Sequence, residues 1–160
     1  MLPCNCSKLH SNFTMKFLFF LLSMLSISQG NQWLTDFEIA KKIATEKKEN
    51  ILLNFSGSDW CGPCMRMKKE IFETASFTSY ATDHLVLLNA DFPRNKKNKL
   101  SKEQESMNDK LAEKYNPDGK FPYTVLLNAQ GVIIKKWEGL PDGKAADFIT
   151  QIKSLNESGK

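Results

Sequence analysis

The stretch "SGSDWCGPCMRMKKEIF", residues 56–72, places Cys61 and Cys64 two residues apart around a Gly-Pro pair, directly behind Trp60. Such a pair can be a metal clamp, a structural staple or a redox site. Zinc needs about four ligands, and beyond residue 30 the chain offers only Cys61, Cys64 and His84. Haem attachment would require His after the second cysteine, where the sequence has Met65. No metal and no cofactor is therefore expected. As a staple the pair is weak, because closing so short a loop removes little unfolded-state entropy.

The redox reading gains from position. Met65, Met67, Lys68, Lys69 and Glu70 favour a helix over 62–72, and Pro63 suits its first turn, where no amide donor is missed. Three residues apart at a helix start, two Cα atoms lie about 5 Å apart, inside the disulfide window. Free amides at a helix N-terminus favour negative charge, which lowers the thiol pKa of the outermost cysteine. Cys61 is thus the expected nucleophile. Cys64, one turn inward, is expected to be more buried and to resolve the mixed disulfide. Trp60 offers a flat apolar surface beside them.

Around this motif the pattern alternates between helix and strand. "LTDFEIAKKIATEKKE" (34–49) has helical spacing, with Thr35 or Asp36 available as cap. "NILLNFS" (50–56) and "LVLLNADF" (85–92) are apolar runs with little alternation, as in strands buried on both faces. A helix is expected over 76–83, and another over 101–115, where Ser101 and Gln104 form a capping-box pattern. After the turn formers of "NPDGKFP" (116–122), "YTVLLN" and "GVIIKKW" read as antiparallel strands joined at Asn128-Ala129-Gln130. A last helix runs from 142 to about 155. The order predicts a mixed central sheet with helices on both faces.

The first 30 residues have a different character. "FLFFLLSMLSISQ" follows Lys16 and precedes Gly30, as in a secretory signal, with Ser28 and Gly30 as the small residues of a cut before Asn31. An uncleaved membrane anchor is the alternative, although the block is short of the ~20 apolar residues a span needs. Met15-Lys16 would itself make a compact signal start, and Cys4 and Cys6 lie ahead of it. The expected division is a signal segment, 1–30, and one folded domain, 31–160. Removing Lys8 and Lys16 with the leader leaves 20 basic against 18 acidic residues. That balance does not call for nucleic acid. The basic run "PRNKKNK" (93–99) reads most simply as a solvated loop, with a docking patch as the other reading.

"WCGPC", with the strand before it, Phe121-Pro122 ahead of a later strand, and Gly139 in "WEG", resembles the thioredoxin superfamily over about residues 34–155. "NFSGSDWCGPC" is most similar to secreted, single-domain members of bacterial envelopes. The resemblance implies an α/β thioredoxin fold, a redox disulfide Cys61–Cys64, and supporting roles for Trp60, Gly62, Pro63 and a cis Pro122. It also shows departures. A buried Asp usually precedes the motif and helps deprotonate the resolving cysteine; here Asn54 stands in its place, and Leu87 replaces the lysine that pairs with that acid. The segment from Asp91 to Pro122 is longer than usual by about a helix, so residues 93–116 form an insertion.

The function implied is thiol–disulfide exchange in the periplasm or outside the cell, reducing disulfides of exported proteins with electrons from a membrane partner, by a monomer. A disulfide oxidase or isomerase is the near alternative. A binding module for unfolded clients or for Cu(I) is the alternative from another class.

Overall fold

The computed structural model describes residues 32–141 and 143–158; the expected signal segment, with Met15, Cys4 and Cys6, lies outside them. Helix α1, Phe37–Lys47, starts where the Asp36 carboxylate accepts the Glu38 and Ile39 amides at 2.8 and 3.0 Å. It ends at Lys48, in a left-handed conformation (φ 57°), whose N–H reaches the Ala44 carbonyl. Strand β1, Asn50–Ser56, follows at once.

Next come helix α2, Gly62–Met67, a π-helical turn Lys68–Phe72, and helix α3, Ala75–His84. Strand β2, Leu85–Asp91, leads into the segment expected to be an insertion, 93–116, which holds a 3-10 turn Lys96–Asn98 and helix α4, Lys102–Tyr115. Strands β3, Tyr123–Leu127, and β4, Ile133–Glu138, precede helix α5, Ala145–Ser158. Among the described residues no helix is long and apolar enough to cross a membrane.

The sheet order is β2-β1-β3-β4, with β1 parallel to β2 and antiparallel to β3, and β3 antiparallel to β4. A right-handed crossover is the usual link between parallel neighbours, and here α2 and α3 fill it. Strand β1 lies between β2 and β3, which is why its sequence shows no apolar–polar alternation. Its alternate residues face two cores. Leu52 packs with Met67, Ile71, Phe77 and Phe148, under α2, α3 and α5. Ile51, Leu53 and Phe55 pack with Ala40, Ala44 and Tyr115, under α1 and α4. The mixed sheet with helices on both faces is thus the observed architecture.

Three expected features differ for local reasons. The 62–72 helix widens into a π turn, and the consecutive Ile71 and Phe72 both reach the same core. In the hairpin, Asn128 Oδ1 accepts the Gln130 and Val132 amides and Gly131 is left-handed (φ 81°), so β4 begins only at Ile133. In α4, Ser101 Oγ caps the Gln104 amide at 3.2 Å, but the Gln104 side chain does not return to Ser101. It donates instead to the Thr35 carbonyl and to Asn108 Oδ1, tying α4 to the chain ahead of α1. Asn108 Nδ2 in turn donates to the Asp91 carbonyl at 2.7 Å, which anchors this segment to the end of β2.

Candidate active site

The cysteine pair sits where β1 has ended and α2 begins. The Cys61 N–H donates to the Gly57 carbonyl at 2.9 Å, turning the loop, and Cys61 is the N-cap of α2. Its sulfur accepts the Cys64 amide at 3.2 Å. Pro63 occupies the first turn. The two cysteines form a disulfide, with Cα atoms 5.2 Å apart. In this oxidised form Cys61 and Cys64 are 5% and 6% exposed, so greater burial of Cys64 is not observed. Exposure follows what packs around a residue rather than its place along the helix, and both cysteines are covered here. What separates the two is helix position: Cys61 alone faces the free amides of the first turn.

Trp60 is held by four contacts. Its Nε1–H donates to the Phe92 carbonyl at 2.7 Å, and its ring meets Phe121 edge-on at 5.4 Å. The Arg94 guanidinium carbon lies 3.7 Å from the ring centre, a cation–π contact of a kind that contributes about 0.5–1 kcal/mol at exposed sites. Below it is Gly57, where any Cβ would overlap the indole. Phe121 also meets Phe92 edge-on, and the Phe121-Pro122 peptide is cis. Pro122 is buried, and its carbonyl accepts the Gly139 amide at 2.9 Å. Gly62 is exposed, and a Cβ there would meet nothing within 4 Å. Packing places no demand for glycine at that position; it leaves the outer side of the cysteine pair uncovered.

Beneath the site the ends of β1 and β2 carry a polar ladder. Asn54, 6% exposed, accepts from Thr124 Oγ1 at 3.3 Å and donates through Nδ2 to Asn89 Oδ1 at 2.9 Å. Thr124 also lies 3.9 Å from the sulfur of Met67 on α2. Ser56 Oγ donates to Asp91 Oδ1 at 2.8 Å, and the Asp91 carboxylate also takes the amide and hydroxyl of Ser58. The register pairs Asn54 with Asn89, while Leu87 pairs with Leu52 and joins the core. An Asn–Asn contact therefore stands beside the position where the resemblance implies an acid.

Asp59 completes the frame. Its carboxylate accepts the Arg94 and Asn95 amides and the Asn98 side chain, all at 2.9 Å. These bonds, the Arg94 amide first, hold its pKa below the ordinary carboxylate value. The loop between Ser56 and Cys61 and the segment that follows β2 are thus fastened together.

The sequence alone does not mark Asn89, Asp91, Asp59 or Phe92 as site residues. One signal was available. "LLN" closes three apolar runs, at 52–54, 87–89 and 126–128, and the strand register sets the first two asparagines opposite each other. Arg94 is legible only as part of the basic run 93–99, and its contact with Trp60 comes from the tertiary structure.

A cleft of about 660 Å³ opens at the other end of β1, lined by residues including Glu49, Asn50, Tyr80, His84 and Asn156. It does not include the cysteines. Among the described residues no group of three or more His, Cys, Asp or Glu is placed to hold a metal ion.

Residues 37–155 match the family model described as a thioredoxin-like domain. Disulfide bond reductase DsbH of Chlamydia pneumoniae is 33% identical over 123 residues, covering 77% of this chain and 71% of that protein. Thioredoxin-related protein DsbJ of the same organism is 28% identical over 96 residues, 60% of this chain and 27% of that protein. A solved structure described as DsbH oxidoreductase superposes with a TM-score of 0.72 at 29% identity, over 80% of this chain and 85% of that one. With this fold and a Cys61-Gly-Pro-Cys64 pair at the head of α2, the chain belongs to the thioredoxin-like family and is homologous to disulfide bond reductase DsbH and to thioredoxin-related protein DsbJ.

Proposed function

We propose that the protein reduces disulfides of exported proteins outside the cytoplasm. The observation that carries this is the cysteine pair at the start of α2, with Cys61 capping the helix and Cys64 one turn inside it. The name of the relative from C. pneumoniae, a disulfide bond reductase, supports the direction. In the reduced protein the Cys61 thiolate attacks one sulfur of a substrate disulfide. A Cys61–substrate bond forms, and the other substrate sulfur leaves as a thiolate and takes a proton. The Cys64 thiolate then attacks Cys61 Sγ, closing the Cys61–Cys64 disulfide and releasing the second substrate thiol. The substrate gains two electrons and the protein loses them, so a dithiol donor, expected in the membrane, must restore it.

Trp60 and Pro122 line the approach, Gly62 and Pro63 shape the first turn, and Asn54 occupies the usual position of the proton-accepting acid. The signal segment 1–30 underlies the assignment to the periplasm or the exterior.

Two measurements test the reading. Dithiothreitol-driven insulin reduction is expected to be lost in Cys61→Ser, whereas Cys64→Ser accumulates the mixed disulfide. The reduction potential is expected near that of thioredoxin, about −270 mV. A value near −120 mV, roughly that of a strong oxidant, would overturn the reductant reading.

A further inference from the structure

We propose that Arg94, with Lys96 and Lys97 beside it, forms a cationic rim on the active site that selects disulfides flanked by acidic residues. The inference rests on the thiol–disulfide exchange above and names its substrate class. It does not depend on the direction of electron flow.

Between Phe92 and Lys102 the chain carries Arg94, Lys96, Lys97, Lys99 and Lys102 and no carboxylate. Residues 94–99 are all exposed, and among the described residues none of the cations from Arg94 to Lys99 forms an ion pair. Such a run is ordinarily a solvated loop whose charge points nowhere in particular. Here its start is fixed against the redox loop. The Phe92 carbonyl takes the Trp60 Nε1–H, the Arg94 and Asn95 amides and the Asn98 side chain reach Asp59, and the Arg94 guanidinium covers the Trp60 ring. Trp60 is bonded directly to Cys61. The Arg94–Trp60 contact therefore stands one residue along the chain from the attacking cysteine.

The neighbouring carboxylates offset only part of this charge. Asp59 and Asp91 are hydrogen-bonded by neutral donors, which leave a carboxylate's charge in place, but Arg94, Lys96, Lys97 and Lys99 outnumber them. On α2, Arg66 pairs with Glu70 at 3.7 Å. Glu103 and Glu105 lie in the first turn of α4, beyond Ser101. A guanidinium lying on an aromatic ring keeps edge N–H groups free to bind a carboxylate with two parallel hydrogen bonds. The match is to Glu or Asp one or two residues from the substrate cysteine.

The test uses the reduced protein and two disulfide-linked peptides that differ only in Glu or Lys beside each cysteine. Each exchange rate constant is divided by that of the same peptide with dithiothreitol, which removes the effect of the flanking charge on the disulfide itself. The normalised rate is expected to favour the Glu peptide by about tenfold at roughly 10 mM salt, where the Debye length is long, and by less at about 0.15 M. Arg94→Glu is expected to bring the ratio to one or below. Lys96→Glu with Lys97→Glu, on exposed side chains outside the Trp60 contact, is expected to lower it by about threefold or more. A ratio of one in the unaltered protein, or a ratio that neither variant moves, overturns the inference while leaving the exchange chemistry standing. Failure of the reduced protein to exchange with either peptide overturns both.

Discussion

At the scale of single residues the site turns on Asn54. It is buried, bonded to Thr124 and Asn89, and cannot take a proton from a thiol at ordinary pH. In the exchange proposed above, resolution by Cys64 would then use water or a substrate group. Asn54→Asp would place a carboxyl in the same pocket, where burial raises its pKa toward neutrality. The Asn89 amide can turn to donate to it. The pH–rate profile of insulin reduction is expected to gain an ionisation, with the rate above it rising by about tenfold. That is less than a well-placed acid–base group supplies, about 10²–10⁴-fold, because the surrounding ladder is built for an amide. An unchanged profile would refute the role given to this position.

Glu49 shows the opposite use of a carboxylate. Its pKa is raised, by burial first, with Lys47 and His84 partly offsetting this and Asp83 adding to it. Lys47 approaches only to 4.0 Å, and one buried carboxylate oxygen has no hydrogen-bond partner. A folded-state pKa above the unfolded value means that the fold favours the protonated form. Stability is then lost as pH rises from the unfolded pKa through the folded one. Glu49→Gln, which mimics the protonated form, is expected to raise Tm at pH 7 and to match the unaltered protein near pH 3. Equal Tm values at both pH values would show that Glu49 ionises without a folding penalty.

At the scale of elements, caps and edges decide where each segment stops. Helix α1 ends at Lys48 with φ 57°, a conformation in which an L-residue other than glycine is disfavoured by roughly 1–2 kcal/mol. Glycine is the usual residue there. Lys48→Gly is expected to stabilise the fold by about 0.5–1 kcal/mol, after allowance for glycine's larger unfolded-state entropy. Urea denaturation would detect this as a higher midpoint at unchanged slope; a lower midpoint would contradict it. The sheet edges are managed differently. Leu34 bridges to Leu88 and shields part of β2, whereas β4 presents the exposed Lys135 and Lys136, charges that discourage pairing with another chain.

At the scale of the whole molecule the parallel β1–β2 pair organises both fold and site. It sets the ends of two strands side by side, so the loop leading to Cys61 and the segment that follows β2 leave the sheet together. Asp59 and Trp60 then hold Phe92 through Asn98, and Asn108 on α4 holds the Asp91 carbonyl. Segment 93–116 is thereby part of the active-site frame, although its sequence reads as a basic loop and a surface helix.

Legible along the chain were the order of strands and helices and the close approach of Cys61 and Cys64. Each rests on short-range pattern: apolar runs, a cap such as Ser101, and two thiols three residues apart at a helix start. The α/β architecture with helices on both faces followed from their order. Tertiary structure alone decided the neighbours of those thiols. Asn54 meets Asn89 and Trp60 meets Arg94 across more than thirty residues of chain, through a strand register that no local pattern specifies. It also decided that both cysteines are equally covered when oxidised, because exposure depends on what packs around a group and not on its place in the chain.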